Sequence, residues 1–239
     1  MSSVRLHQFV VPWELPNPSP FCLKAETFLK LAGLEYEVVP WTPMGAPLGK
    51  APFIELDGTV IPDSSRIVRT LLDLPEVQLD APFAPDDVRR LLPVQRMLEE
   101  HTYWAIIVLR WLQDEPWAVY REVIGAGVPG LIRRPLTAWL RRGTRKAALA
   151  HGLARHPLDE VVLRARQDLD AVAVTLGDRA FLLGDAPCSV DAGVYAFLEC
   201  LAHPLGTEAL QPAFASGTPL RGYLERMRAR AWPDWDFPS

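Results

Sequence analysis

Cysteine is scarce in this chain of 239 residues. The three present, Cys22, Cys188 and Cys200, are too few and too scattered for a disulfide framework, which points to a reducing compartment, the cytoplasm. Positive charge is not in excess either. A formal net charge of −4 and a pI near 5.8 give no global attraction to nucleic acid or to acidic membranes. No basic run followed by a long apolar stretch opens the chain, so no secretory leader is expected. The longest apolar runs, such as 105–109, fall far short of a membrane span, so no integral membrane segment is expected. The five histidines and three cysteines lack metal-ligand spacing, so no metal is expected. There is no phosphate-binding glycine loop, internal repeat or low-complexity tract. What remains is a soluble protein, 49% apolar, with material for a core in each of two modest domains.

The first third of the chain alternates in character. Residues 4–10 read as a strand. Residues 20–32 read as a helix, with Ser19 as its cap, Pro20 in its first turn and Gly33 at its end. Residues 35–39 read as a second strand, completing a βαβ unit. A Pro- and Gly-rich loop over 41–50 follows. Asp57-Gly58, between apolar runs 52–56 and 59–61, signals a β-hairpin. Asp63-Ser64-Ser65 caps a helix to about 74. The order is therefore β-α-β-β-β-α. A linker at 77–87 leads into a helical remainder over 88–239, with helices at 88–114, 159–176, 189–202 and 220–231.

The stretch Ser19-Pro20-Phe21-Cys22 lies where the first strand hands over to the first helix. A Cys-x-x-Cys at such a junction reads as a thioredoxin-like redox motif. With Ser19 at the first position, a two-cysteine disulfide cycle cannot run there. A helix N-terminus bearing a hydroxyl and a thiol one turn apart is left, suited to holding a thiolate of another molecule.

The element order, an X-Pro at the start of the third strand and an all-helical second half resemble the glutathione S-transferase family over nearly the whole chain. Within it the chain is most similar to the metaxin-like and failed-axon-connections-like branch. The residues that carry the likeness are Ser19-Pro20-Phe21-Cys22-Leu23-Lys24, Gly49-Lys50-Ala51-Pro52-Phe53-Ile54-Glu55, Ile61-Pro62-Asp63-Ser64, Ser189-Val190-Asp191-Ala192 and Trp232-Pro233-Asp234-Trp235. Metaxins carry a membrane tail, and this chain ends in Phe237-Pro238-Ser239, so a soluble relative is expected. The resemblance implies an α/β thioredoxin-like N-terminal domain (residues 1–76) and an all-α C-terminal domain. It also implies glutathione as co-substrate, a small electrophile as the second substrate, and a homodimer. A cis bond before Pro52 is implied, freeing the backbone of Ala51 to pair with the extended tripeptide. Asp63 and Ser64 are implied to hold the γ-glutamyl end at a helix N-terminus, with Lys50 on the other carboxylate. Ser19 would donate to the glutathione sulfur, and Trp13, Tyr103 and Trp104 would line the electrophile pocket.

Each residue also has a plainer role. Pro52 can be a trans proline starting a strand, Ser19 and Asp63 helix caps, Lys50 a solvated cation, and the aromatics core. Cys22 can be a reactive thiol that forms a mixed disulfide with glutathione, or a packed, inert one. Two rivals to the transferase reading follow: a glutathione-dependent thiol reductase using Cys22, and a non-catalytic interaction module that retains only the fold. Cys188, where relatives carry threonine or serine, weakens a capping box, and Ser189 is expected to substitute. The basic run Arg133, Arg134, Arg141, Arg142, Arg145 and Lys146, interleaved with Leu136, Trp139 and Leu140, reads as a solvated helix face rather than a surface for an acidic partner or headgroup.

Overall fold

The computed structural model describes residues 3–41 and 46–237. Residues 42–45 of the expected loop and the terminal Pro238 and Ser239 lie outside the described residues.

Alternation sets the sheet. In β1 (Val4–Gln8) every second residue, Val4, Leu6 and Gln8, is buried, and Arg5 and His7 take the opposite face. Helix α1 (Pro20–Leu31) returns the chain so that β2 (Tyr36–Pro40) pairs parallel to β1, with Leu6 opposite Val38. β3 (Phe53–Leu56) and β4 (Thr59–Pro62) form the expected antiparallel hairpin. Asp57 and Gly58 turn it with φ of 49° and 83°, the paired positive values of a type I′ turn. The strand order is β2-β1-β3-β4. Helices α1 and α2 (Ser64–Leu72) cover one face, packing Phe28, Leu29, Ile67 and Leu71 against Leu6 and Ile54. The other face pairs Arg5 with Glu37 at 3.2 Å and Glu55 at 2.9 Å.

Helices make up the rest. A continuous helical run comprises α3 (Pro85–Arg96) and α4 (Tyr103–Ile107), with π-helical turns at Met97–Thr102 and Val108–Leu112. It starts three residues earlier than expected, because Pro85 is tolerated in a first turn. Next come α5 (Asp114–Ile124), a helix the sequence reading had not placed, and α6 (Gly130–His151), which carries the basic run. α7 (Leu158–Leu176), α8 (Ser189–Ala202) and α9 (Pro219–Ala231) lie within one residue of expectation. From Ser189 to Leu201 every residue of α8 is buried, as expected for a helix apolar around its whole circumference. It packs against α1, and Trp232 adds a hydrogen bond from its indole N–H to Thr27 Oγ1, 3.0 Å.

The expected weakness at Cys188 is corrected. The capping box is complete, with Asp191 Oδ2 accepting the Cys188 N–H at 2.8 Å. Ser189 does not substitute for it. Its N–H and hydroxyl both donate to Asp80, at 2.7 and 2.6 Å, so a residue of the connecting segment holds the start of α8.

Candidate functional site

Strand register gathers the candidate residues. His7, near the end of β1, lies opposite Phe53, and Phe53 lies opposite Pro62. The segment after β1, the residues just before β3 and those just after β4 therefore share one edge of the sheet. These carry Ser19, Ala51-Pro52 and Asp63-Ser64 respectively.

Ser19 is the N-cap of α1, and its Oγ accepts the Cys22 N–H at 3.5 Å, a long contact. An oxygen that accepts from the helix keeps its own proton to donate. Buried Asn17 holds Ser19 in place: its Oδ1 accepts the Ser19 N–H at 3.0 Å and its Nδ2 donates to the Phe9 carbonyl at 2.9 Å. The Ala51–Pro52 peptide bond is cis. The N–H and C=O of Ala51 make no hydrogen bond among the described residues. Lys50 is exposed.

Asp63 caps α2, Oδ1 accepting from Ser65 N–H at 2.9 Å and Arg66 N–H at 3.0 Å. Its φ of 74° is one that non-glycine residues rarely adopt. Ser64 is buried, and its hydroxyl has no partner among the described residues. The start of α2 thus offers unpaired donors and the positive end of a helix.

Cys22 is fully buried, and burial pushes its thiol up to about 12. At neutral pH it is a packed thiol with negligible thiolate.

The aromatic candidates divide. Tyr103 packs edge-to-face on Phe21, 5.0 Å between centroids, one residue from Cys22. Burial pushes its phenol up to about 12, so it stays neutral, and its hydroxyl has no partner among the described residues. Trp13 meets Tyr120 at 5.9 Å and His203 at 4.3 Å. Trp104 instead stacks on His151 at the end of α6, 4.8 Å apart. The proline-rich segment carrying Trp13 lies against the helical half: Glu14 accepts from His203 Nε2 at 2.9 Å, and its carbonyl accepts from Trp235 Nε1 at 3.2 Å.

A buried network beside α2 was missed from the sequence. Lys24 Nζ, 1% exposed, donates to Glu99 Oε1 at 2.6 Å and to Ser65 Oγ at 2.8 Å. Arg96 completes it, donating to Glu99 Oε2 at 2.5 Å and Ser65 Oγ at 3.3 Å. Burial lowers the Lys24 pKa, opposed by Glu99. The sequence signal was a lysine inside an apolar helix stretch, and its acid stands 75 residues away.

Residues 20–116 match the family described as glutathione S-transferase N-terminal domain, and residues 165–227 match glutathione S-transferase, C-terminal domain. The chain is 32% identical over 234 residues to an isoprene-epoxide glutathione S-transferase of Rhodococcus sp. (strain AD45), covering 94% of this chain and 98% of that one. It is also 32% identical over 251 residues to failed axon connections of Drosophila melanogaster, covering 98% of this chain and 59% of that longer protein. Equal identities give no preference to the failed-axon-connections-like branch. Among solved structures, the beta-etherase LigF from Sphingobium sp. strain SYK-6 shares the fold, with a TM-score of 0.64 at 18% identity over 95% of each chain.

Proposed function

Because the chain belongs to the glutathione S-transferase family, we propose that it binds glutathione along the sheet edge at the start of α1 and transfers its sulfur to a small electrophile. The observation that carries this reading is the hydrogen-bonding capacity gathered at that edge: the capping Ser19, and the Ala51 backbone and Ser64 hydroxyl, which have no partner among the described residues.

In this mechanism the tripeptide pairs with Ala51 beside Pro52. Its γ-glutamyl carboxylate meets the Ser64 hydroxyl and the N-terminus of α2, and the unengaged Asp63 Oδ2 accepts from its ammonium. Lys50 neutralises the glycyl carboxylate. The glutathione thiol gives its proton to solvent, and the Ser19 hydroxyl donates to the resulting thiolate at the positive end of α1. The relative from Rhodococcus suggests an epoxide as electrophile. The thiolate sulfur bonds to a ring carbon, the carbon–oxygen bond breaks, and the alkoxide gains a proton. The neutral Tyr103 phenol donates a hydrogen bond to that oxygen as it is protonated from solvent.

Calorimetric titration with glutathione, followed by conjugation kinetics on an epoxide, tests the reading. We expect binding at millimolar ligand, and Ser19→Ala to lower kcat/KM roughly tenfold to hundredfold with affinity nearly unchanged. Absence of binding heat would leave the non-catalytic module. Mixed-disulfide formation abolished by Cys22→Ser would establish the reductase instead, against the burial of Cys22.

A further inference from the structure

Helix α6 reverses the usual placement of apolar and charged side chains. A helix with a merely solvated basic face buries its leucines and tryptophans. Here the buried residues are Thr137 and Ala148, and Arg141 turns toward the neighbouring elements while Arg133 pairs at the surface. Arg141 donates to the Trp111 and Leu112 carbonyls and pairs with Asp114, and Arg133 pairs with Glu122. The large apolar residues face water: Leu131 is 93% exposed, Trp139 70% and Ile132 52%. The helical period places positions 131, 135, 139, 142 and 146 on one outward stripe, about 22 Å long. That stripe begins apolar and ends with Arg142 and Lys146.

Charge points the same way. Residues 130–151 carry six cations and no Asp or Glu, in a chain of net charge −4. Arg134, Arg142, Arg145 and Lys146 have no anionic partner among the described residues. Past the helix end, Arg155 donates to the Leu149 carbonyl and extends the cationic margin.

We propose that α6 is a docking surface for an anionic lipid bilayer, lying parallel to the membrane. The geometry fits that occupant: Trp139 reaches the headgroup level, Leu131 and Ile132 enter the acyl boundary, and Arg142 and Lys146 extend to lipid phosphates and carboxylates. Nucleic acid supplies the charge but nothing to cover two exposed aliphatic residues. No helix among the described residues is long and apolar enough to cross a membrane, so the contact is peripheral.

Co-sedimentation of the full chain with phosphatidylcholine vesicles, with and without phosphatidylserine, tests this. Binding is expected only to the phosphatidylserine vesicles and should weaken steeply as salt rises. Arg142→Ser with Lys146→Ser should lower the partition coefficient about 25-fold, roughly fivefold per cation. Leu131→Ser with Trp139→Ser should lower binding to the phosphatidylserine vesicles at every salt concentration while leaving the slope of its salt dependence unchanged. All four positions are exposed or outward, so circular dichroism should be unchanged; should a variant misfold, the salt titration of the native chain decides alone. No preference for anionic vesicles overturns the proposal. So does binding that the substitutions leave intact. Light scattering that shows a dimer broken by the same substitutions would assign the face to a second copy, and retention of DNA without vesicle binding would assign it to nucleic acid; either result also overturns the proposal.

Discussion

Each of the three thiols is fully buried: Cys22 and Cys200 are pushed up to about 12 by burial, and Cys188 is raised beyond that. A nucleophilic thiol must be ionised and reachable, and none of the three meets either condition. The native protein should therefore resist a thiol reagent at mildly alkaline pH, and all three cysteines should react once it is denatured. Rapid stoichiometric labelling of Cys22 in the native state would contradict the structure and reopen disulfide chemistry at α1. The pattern Ser19-x-x-Cys22 was legible in the sequence because backbone requirements at a strand-to-helix junction are local. The state of the Cys22 thiol was not, because it depends on residues such as Tyr103 that arrive from far along the chain.

Buried polar groups at the end of α8 show how one helix is terminated by another. The last carbonyls of a helix have no partner within it. Arg110, 1% exposed, supplies one: its Nη2 donates to the carbonyls of Cys200 at 2.8 Å and His203 at 3.4 Å, and its Nε to that of Leu205 at 3.0 Å. Arg110→Met should destabilise the fold by roughly 2–4 kcal/mol, because buried carbonyls lose their donor while the volume is kept. Denaturant titration at an unchanged slope would measure it. His203 adds a pH response. Its ring accepts the Leu205 N–H at Nδ1, 3.3 Å, and donates from Nε2 to Glu14, so it fits there neutral. Burial and Arg110 hold its pKa below 6.5, only partly opposed by Glu14. The folded state then binds fewer protons than the unfolded one between that lowered pKa and pH 6.5. Its stability contribution is complete above pH 6.5 and is lost as pH falls through the folded pKa. His203→Gln should flatten the fall in Tm over that window; an unchanged slope would remove His203 as its source. Neither device was visible beforehand, because Arg110 and His203 lie 93 residues apart. Elements with local signals, such as the Asp57-Gly58 hairpin and α8, were read closely. α5 was not, because Pro116 and Gly125 interrupt its apolar period, although both fall at helix ends where they are tolerated. α6 was read as a solvated helix face, and the exposure of Leu131 and Trp139 was not legible, since periodicity gives a stripe and not the side that is covered.

Across the whole molecule, the sheet unit and the helical half are held together by groups that neither can satisfy alone. Lys24 on α1 reaches Glu99 on the long helical run, both nearly inaccessible to solvent. Thr27 receives the Trp232 indole, and Asp80 holds the start of α8. Apolar packing of α1 on α8 is continuous with these bonds. Separating the halves would expose the apolar surface between α1 and α8 and break the hydrogen bonds of Lys24, Thr27 and Ser189 across it. The chain should consequently unfold in one transition, although at 239 residues it exceeds the roughly 150-residue range in which two-state behaviour is usual. Far-ultraviolet circular dichroism, tryptophan fluorescence and calorimetry should give coincident midpoints. Glu99→Gln leaves the Lys24 ammonium buried without its counter-charge, at a cost of roughly 3–5 kcal/mol. If the halves are coupled, that substitution should lower every midpoint together. A sheet unit that melts first, with the helical half unmoved, would show that Lys24 and Glu99 merely touch across two independent folding units.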